Sequence, residues 1–83
     1  MTHLDVRLFG PQADAVGERS VRLTLPCESC TCAQVLDALR TAAPPLAESI
    51  DSSRLAVNQR LADPADPVRP TDEIALVGMV SGG

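Results

Sequence analysis

The sequence predicts an α+β domain in which one amphipathic helix packs on a mixed sheet of four or five strands. Three observations carry this reading. Apolar residues alternate with polar ones in two early runs, His3–Phe9 and Ser20–Pro26. A single helical pattern with a capping signature follows at Thr31. A short, nearly continuous apolar run, Ile74–Val77, comes late in the chain. With 83 residues there is room for one small domain and one cooperative core.

Each element can be justified in order. Leu4, Val6 and Leu8 point one way, and His3, Asp5, Arg7 and Phe9 the other, the period of a half-buried strand. Gly10-Pro11-Gln12 breaks it, and Ala13 and Ala15 support at most a short helical turn in the loop that follows. Val21, Leu23 and Leu25 form the apolar face of a second strand, stopped by Pro26 and expected to pair antiparallel with the first. Thr31 and Gln34 fit a capping box. Val35, Leu36, Leu39 and Ala43 then predict a helix over 32–42, closed by Pro44-Pro45. Leu46–Ile50 reads as a further helical turn. Leu55-Ala56-Val57 reads as a short strand, Asn58-Gln59 as a turn, and Arg60–Ala62 as a segment pairing back. Asp63–Thr71, with Pro64, Pro67 and Pro70, reads as a loop. Ile74–Val77 is expected to be a central strand covered on both faces, parallel to the first strand. That order is a β-grasp, or ubiquitin-like, arrangement. The expected organisation is a domain over 1–77 and a reactive tail over 78–83.

Composition narrows the function classes. The net charge is −4 and all seven basic residues are arginines, with no basic stripe, so nucleic acid is not an expected ligand. No run approaches a membrane span and the first ten residues read as a strand, so a soluble, cytoplasmic protein without membrane association is expected. Three cysteines, an odd number, fit a reducing compartment better than a disulfide framework. Cys27-x-x-Cys30-x-Cys32 lacks the four ligands of a structural zinc site, so no metal is expected. These cysteines read first as reduced side chains in a strand–helix loop, with redox pairing of Cys27 and Cys30 as the lesser alternative. His3 reads as a surface strand residue, and Asp63 and Asp66 as loop solvation. Phe9, the one aromatic residue, either closes the edge of the core or stands exposed as a partner anchor.

The candidate functional segment is Gly78-Met79-Val80-Ser81-Gly82-Gly83. Extended, six residues reach roughly 20 Å. A terminal Gly-Gly arises by chance in roughly one chain in 200, so alone it is a modest signal. A C-terminal carboxylate is a poor electrophile until activated, for instance as an acyl adenylate. Two residues without side chains let it pass through a narrow channel of another protein. Gly83 then carries the reacting carbonyl and Gly82 the clearance. Met79, Val80 and Ser81 offer a strand-like grip with backbone hydrogen bonds and apolar anchors.

The chain resembles the small, sulfur-carrying subunit of molybdopterin synthase, within the group that includes the thiamine-pathway sulfur carrier. The resemblance rests on Val6-Arg7-Leu8-Phe9-Gly10 with Val16-Gly17, on Leu25-Pro26 leading to Thr31 and Val35-Leu36-Asp37-Ala38-Leu39, on Ala56-Val57-Asn58, on Asp72-Glu73-Ile74-Ala75-Leu76, and on Val80-Ser81-Gly82-Gly83. Three positions depart from it: Gly78-Met79 replaces a frequent Pro-Pro, Thr71 replaces a frequent Gly, and the Cys27–Cys32 segment replaces a usually cysteine-free turn. The resemblance implies that an ATP-dependent activating enzyme adenylates Gly83 with ATP and Mg2+, that a sulfur donor converts it to a thiocarboxylate, and that the large synthase subunit, in a heterotetramer, passes the sulfur to a pterin precursor of the molybdenum cofactor. No cofactor is implied on this chain, and the catalytic groups are expected on the partners. A carrier for thiamine or another sulfur pathway, and a ubiquitin-like protein modifier, are the alternatives.

Overall fold

The computed structural model describes residues 1–78. The predicted sites at Met79, Val80, Ser81, Gly82 and Gly83 lie outside the described residues. Among the described residues the elements are β1 (Thr2–Arg7), α1 (Gly10–Val16), β2 (Ser20–Leu25), β3 (Cys30–Thr31), α2 (Cys32–Ala42), a 3-10 turn (Pro44–Leu46), α3 (Ala47–Ile50), β4 (Ser53–Val57), β5 (Arg60–Leu61), β6 (Pro67–Val68) and β7 (Ile74–Gly78). The main sheet has the order β2-β1-β7-β4-β5, and β3 pairs with β6 in a two-stranded ribbon. β1 and β2 are antiparallel from Thr2↔Leu25 to Arg7↔Ser20. β1 and β7 are the parallel central pair, with Val6 opposite Ile74 and Arg7 opposite Ala75.

One sheet face is buried beneath α2. Leu4, Val6, Leu23, Leu25, Leu55, Ile74 and Leu76 meet Val35 and Leu39 of the helix, with Leu46 and Ile50 closing the end of the layer. Each fully buried aliphatic side chain favours the fold by about 1.5–3 kcal/mol relative to exposure. With a single aromatic residue, the core is built from these aliphatic chains and cysteines.

Helix α2 begins and ends where its capping and proline signals place it. Its four N-terminal donors all have acceptors. Thr31 N–H donates to Gln34 Oε1 at 2.8 Å and Gln34 N–H to Thr31 Oγ1 at 3.3 Å. Cys32 N–H donates to the Asp66 carbonyl and Ala33 N–H to the Pro64 carbonyl, both at 2.9 Å.

Four expectations are corrected. The segment read as a break is helix α1, because Pro11 occupies the first turn, where its missing N–H costs nothing. The helix stops at Gly17, whose φ of 81° is the left-handed C-terminal conformation open to glycine. The Asp63–Thr71 loop contains β6, because its backbone is drawn onto β3 by pairing of Val68 with Cys30. β7 is central but covered on one face only: Ala75 and Val77 are half-buried on the other, since the molecule has a single helical layer. Cys27 and Cys30 are paired as a disulfide, Cα–Cα 6.1 Å, and Cys32 is a buried free thiol. The turn after Pro26 brings the two Cα atoms inside the span a disulfide needs, which residue spacing alone does not reveal.

Candidate functional site

β7 is the strand that precedes residues 79–83 in sequence. It lies between β1 and β4 and runs to Gly78, one residue past the expected end of the domain. Around that point is a groove of about 410 Å³, walled by Phe9, Pro11, Gln12, Ser53, Leu76, Val77 and Gly78. Phe9 is 55% exposed. It caps the start of α1 in extended conformation and does not close the core. The ring is therefore exposed on the rim that it shares with Gly78 at the end of β7.

The floor of the groove holds a polar cluster that the sequence did not reveal. Gln12 is buried, and its Nε2 donates to Ser53 Oγ at 2.9 Å and to Ser49 Oγ at 3.4 Å. Ser53 Oγ donates onward to the Ser49 carbonyl at 2.6 Å. Ser53 is the cross-strand partner of Gly78, and the space where a Gly78 side chain would begin lies 3.6 Å from Gln12 Nε2. The amide therefore ties α1, α3 and β4 together beside the last described residue of β7. A lone Gln in a Gly-Pro-Gln turn carries no sequence signal of burial.

The uncovered sheet face continues this rim. Cross-strand partners share a face, so Arg7, Ala75, Ala56 and Leu61 stand in a row across β1, β7, β4 and β5. Leu61 is 51% exposed. A shallow hollow there is lined by Phe9, Ala56, Ala75 and Val77, with Arg7 and Glu73 paired at 3.7 Å at its border. On the β1–β2 side the same face is polar: Asp5 pairs with Arg22 at 3.3 Å, and the His3 ring lies 3.1 Å from Thr24 Oγ1. An apolar strip beside the end of β7 thus passes into a charged margin.

A second cluster fixes where β7 starts. Asn58 Nδ2 donates to Asp72 Oδ1 and Glu73 N–H donates to Asn58 Oδ1, each at 3.0 Å. Asn58 N–H donates to the Glu73 carbonyl at 2.8 Å. The Arg69 N–H and the Asn58 amide both stabilise the Asp72 carboxylate and hold its pKa below the usual value. The Asn58 and Asp72-Glu73 motifs are thus one hydrogen-bonded unit. Among the described residues no helix is long and apolar enough to cross a membrane. Asp63 and Asp66 serve the loop: Asp63 pairs with Arg54 at 2.8 Å and Asp66 Oδ2 accepts from the Asp63 N–H.

One main helix, α2, on a mixed sheet with a parallel central pair, its last strand ending at an apolar rim, defines a ubiquitin-like protein of the β-grasp class. The chain belongs to the ThiS family, whose model matches residues 6–83. It is 30% identical over 80 residues to the molybdopterin synthase sulfur carrier subunit of Dictyostelium discoideum, covering 94% of this chain and 93% of that one. The structure of small archaeal modifier protein 1 from Haloferax volcanii superposes with a TM-score of 0.83 at 27% identity, over 96% of this chain and 100% of that one. A chain of the complex of subunits 1 and 2 of the molybdopterin-converting factor from Helicobacter pylori shares the fold, with a TM-score of 0.66 at 24% identity over 99% of this chain and 100% of that one.

Proposed function

We propose that this chain is a sulfur carrier whose Gly83 carboxylate is adenylated by an activating enzyme using ATP and Mg2+, converted to a thiocarboxylate, and presented to the large subunit of molybdopterin synthase. The observation that carries the reading is the position of β7: a central strand that ends at an exposed aromatic on an apolar rim, followed in sequence by Met79-Val80-Ser81-Gly82-Gly83. Similarity to the Dictyostelium subunit along nearly its whole length supports the same reading.

The division of labour follows from the chemistry. A carboxylate resists nucleophilic attack until its oxygen becomes part of a good leaving group. Adenylation supplies AMP as that group, and sulfur attack on the acyl carbon expels it. In this reading the catalytic groups belong to the partners. The rim gives those partners a handle: Phe9 and the Ala56–Ala75–Val77 strip bury apolar surface while the tail enters the partner's site. The complex of subunits 1 and 2 described for the Helicobacter pylori factor is a precedent for such docking.

Incubation with the activating enzyme, ATP, Mg2+ and a sulfur donor is expected to increase the intact mass by one sulfur-for-oxygen exchange, mapped to Gly83. An unchanged mass with active partners would overturn the proposal. A second reading, conjugation to other proteins, is favoured by the likeness to the Haloferax modifier. It predicts adducts joining Gly83 to lysines of other proteins, since this chain has no lysine of its own.

A further inference from the structure

We propose that Cys27 and Cys30 form a reversible thiol–disulfide site that exchanges with low-molecular-weight thiols and sets the stability of the pole opposite the tail. The site is independent of the sulfur-carrier reading. Its Cα–Cα separation of 6.1 Å suits both the bonded and the open state without moving the backbone far. The two sulfurs differ in access: Cys27 is half-buried between exposed neighbours, whereas Cys30 is 1% exposed. An incoming thiolate therefore attacks Cys27 Sγ, breaks the S–S bond and expels the Cys30 thiolate, which takes a proton. A second thiolate then attacks the outer sulfur of the mixed disulfide at Cys27 and releases the Cys27 thiol. Two thiols become one external disulfide as the protein gains two electrons and two protons. Oxidation by an external disulfide such as oxidised glutathione is the reverse sequence.

The placement of the pair determines what the bond controls. The Cys27 carbonyl accepts the hydroxyl of Thr2 at the start of β1, and Cys30 opens β3, whose partner is Val68 of β6. The closed bond thus fastens the end of β2 to the ribbon that caps α2. The tail strand β7 joins β1 at the other end, beside Val6 and Arg7. A six-residue strand separates the two poles by about 20 Å, so the bond acts on stability and leaves the rim unchanged. Cys32, buried in the first turn of α2, is shielded from exchange.

The test uses the full chain equilibrated in glutathione buffers from reducing to oxidising, followed by alkylation and peptide mapping, with melting measured in parallel. The expected result is joint protection of Cys27 and Cys30 from alkylation in oxidised buffer, and a Tm lower by roughly 5–15 °C in reduced buffer. Cys27→Ser and Cys30→Ser are expected to lose the redox-dependent shift, and Cys32→Ala to keep it. Alkylation of Cys27 and Cys30 at all buffer ratios, or a melting shift that survives in Cys27→Ser, would overturn the proposal. If Cys30→Ser does not fold, the mapping and Cys27→Ser decide it. Melting unchanged between the two buffers in the wild type would also overturn it.

Discussion

Asn58 and Gln59 have φ of 54° and 69°, and together they close the two-residue hairpin between β4 and β5. Positive φ at both central residues is the type I′ requirement, which favours Asn-Gly. Asn58 meets it and also reaches across to Asp72 and Glu73. Asn58→Gly keeps the backbone and removes only that reach, so its expected cost is about 1–2 kcal/mol in denaturant unfolding. Gln59→Gly removes the steric cost of the left-handed conformation and is expected to stabilise by about 0.5–1 kcal/mol. Asp72 has a folded pKa below its ordinary 3.8, so its contribution is present above that value and disappears as pH falls through the lower folded one. Titration of unfolding below pH ~4 is expected to show a shallower acid limb in Asp72→Asn. Cys32 behaves in the opposite sense. Burial, then Asp66 and Asp63, push its thiol above 9.0. Its contribution is full below that value and is lost as pH rises through the folded pKa, and Cys32→Ala is expected to flatten the alkaline limb.

At the scale of elements, α2 shows which parts of the fold could be read from sequence. Its start, its end and its capping box are local: Thr31 and Gln34 are three residues apart, and the prolines that end it follow directly. Thr31→Ala is expected to cost about 1 kcal/mol, measured by thermal or denaturant unfolding. The other two donors of the same helix end are satisfied by Asp66 and Pro64, more than thirty residues away. No sequence pattern announces a contact between backbone carbonyls of a proline-rich loop and a distant helix, so β6 is not legible in the sequence. α1 is hidden for a different reason. Gly10-Pro11 is a break when it ends a strand and a helix start when Pro falls in the first turn, and the choice is made by packing of Ala13 and Val16 against the core. The disulfide and the Gln12–Ser53 cluster are likewise tertiary facts. Phe9 was legible as a candidate because it is the one aromatic on a face of otherwise polar positions.

In the proposed role the whole molecule serves to present a chain end, and its two sheet faces differ in what they bury. The face under α2 holds the fold together, and the uncovered face with Phe9, Ala56, Ala75, Val77 and Leu61 is available to a partner. A substitution at the rim should therefore separate binding from folding. Phe9→Ser removes exposed surface and puts a capping hydroxyl at the start of α1, so stability is expected to equal or exceed wild type by up to about 1 kcal/mol. Binding to the activating enzyme or the large synthase subunit is expected to weaken roughly 5- to 30-fold if the ring is an anchor worth about 1–2 kcal/mol. Calorimetric titration of each partner against wild type and Phe9→Ser, with unfolding curves of both carriers, provides the comparison. A core change of similar size, Leu39→Ala, supplies the converse, because the buried face carries stability: a loss of about 2–5 kcal/mol in unfolding. Binding by the fraction that stays folded should be little changed. Equal affinity of Phe9→Ser and wild type for both partners would remove the rim from the docking surface and leave the tail as the sole point of recognition.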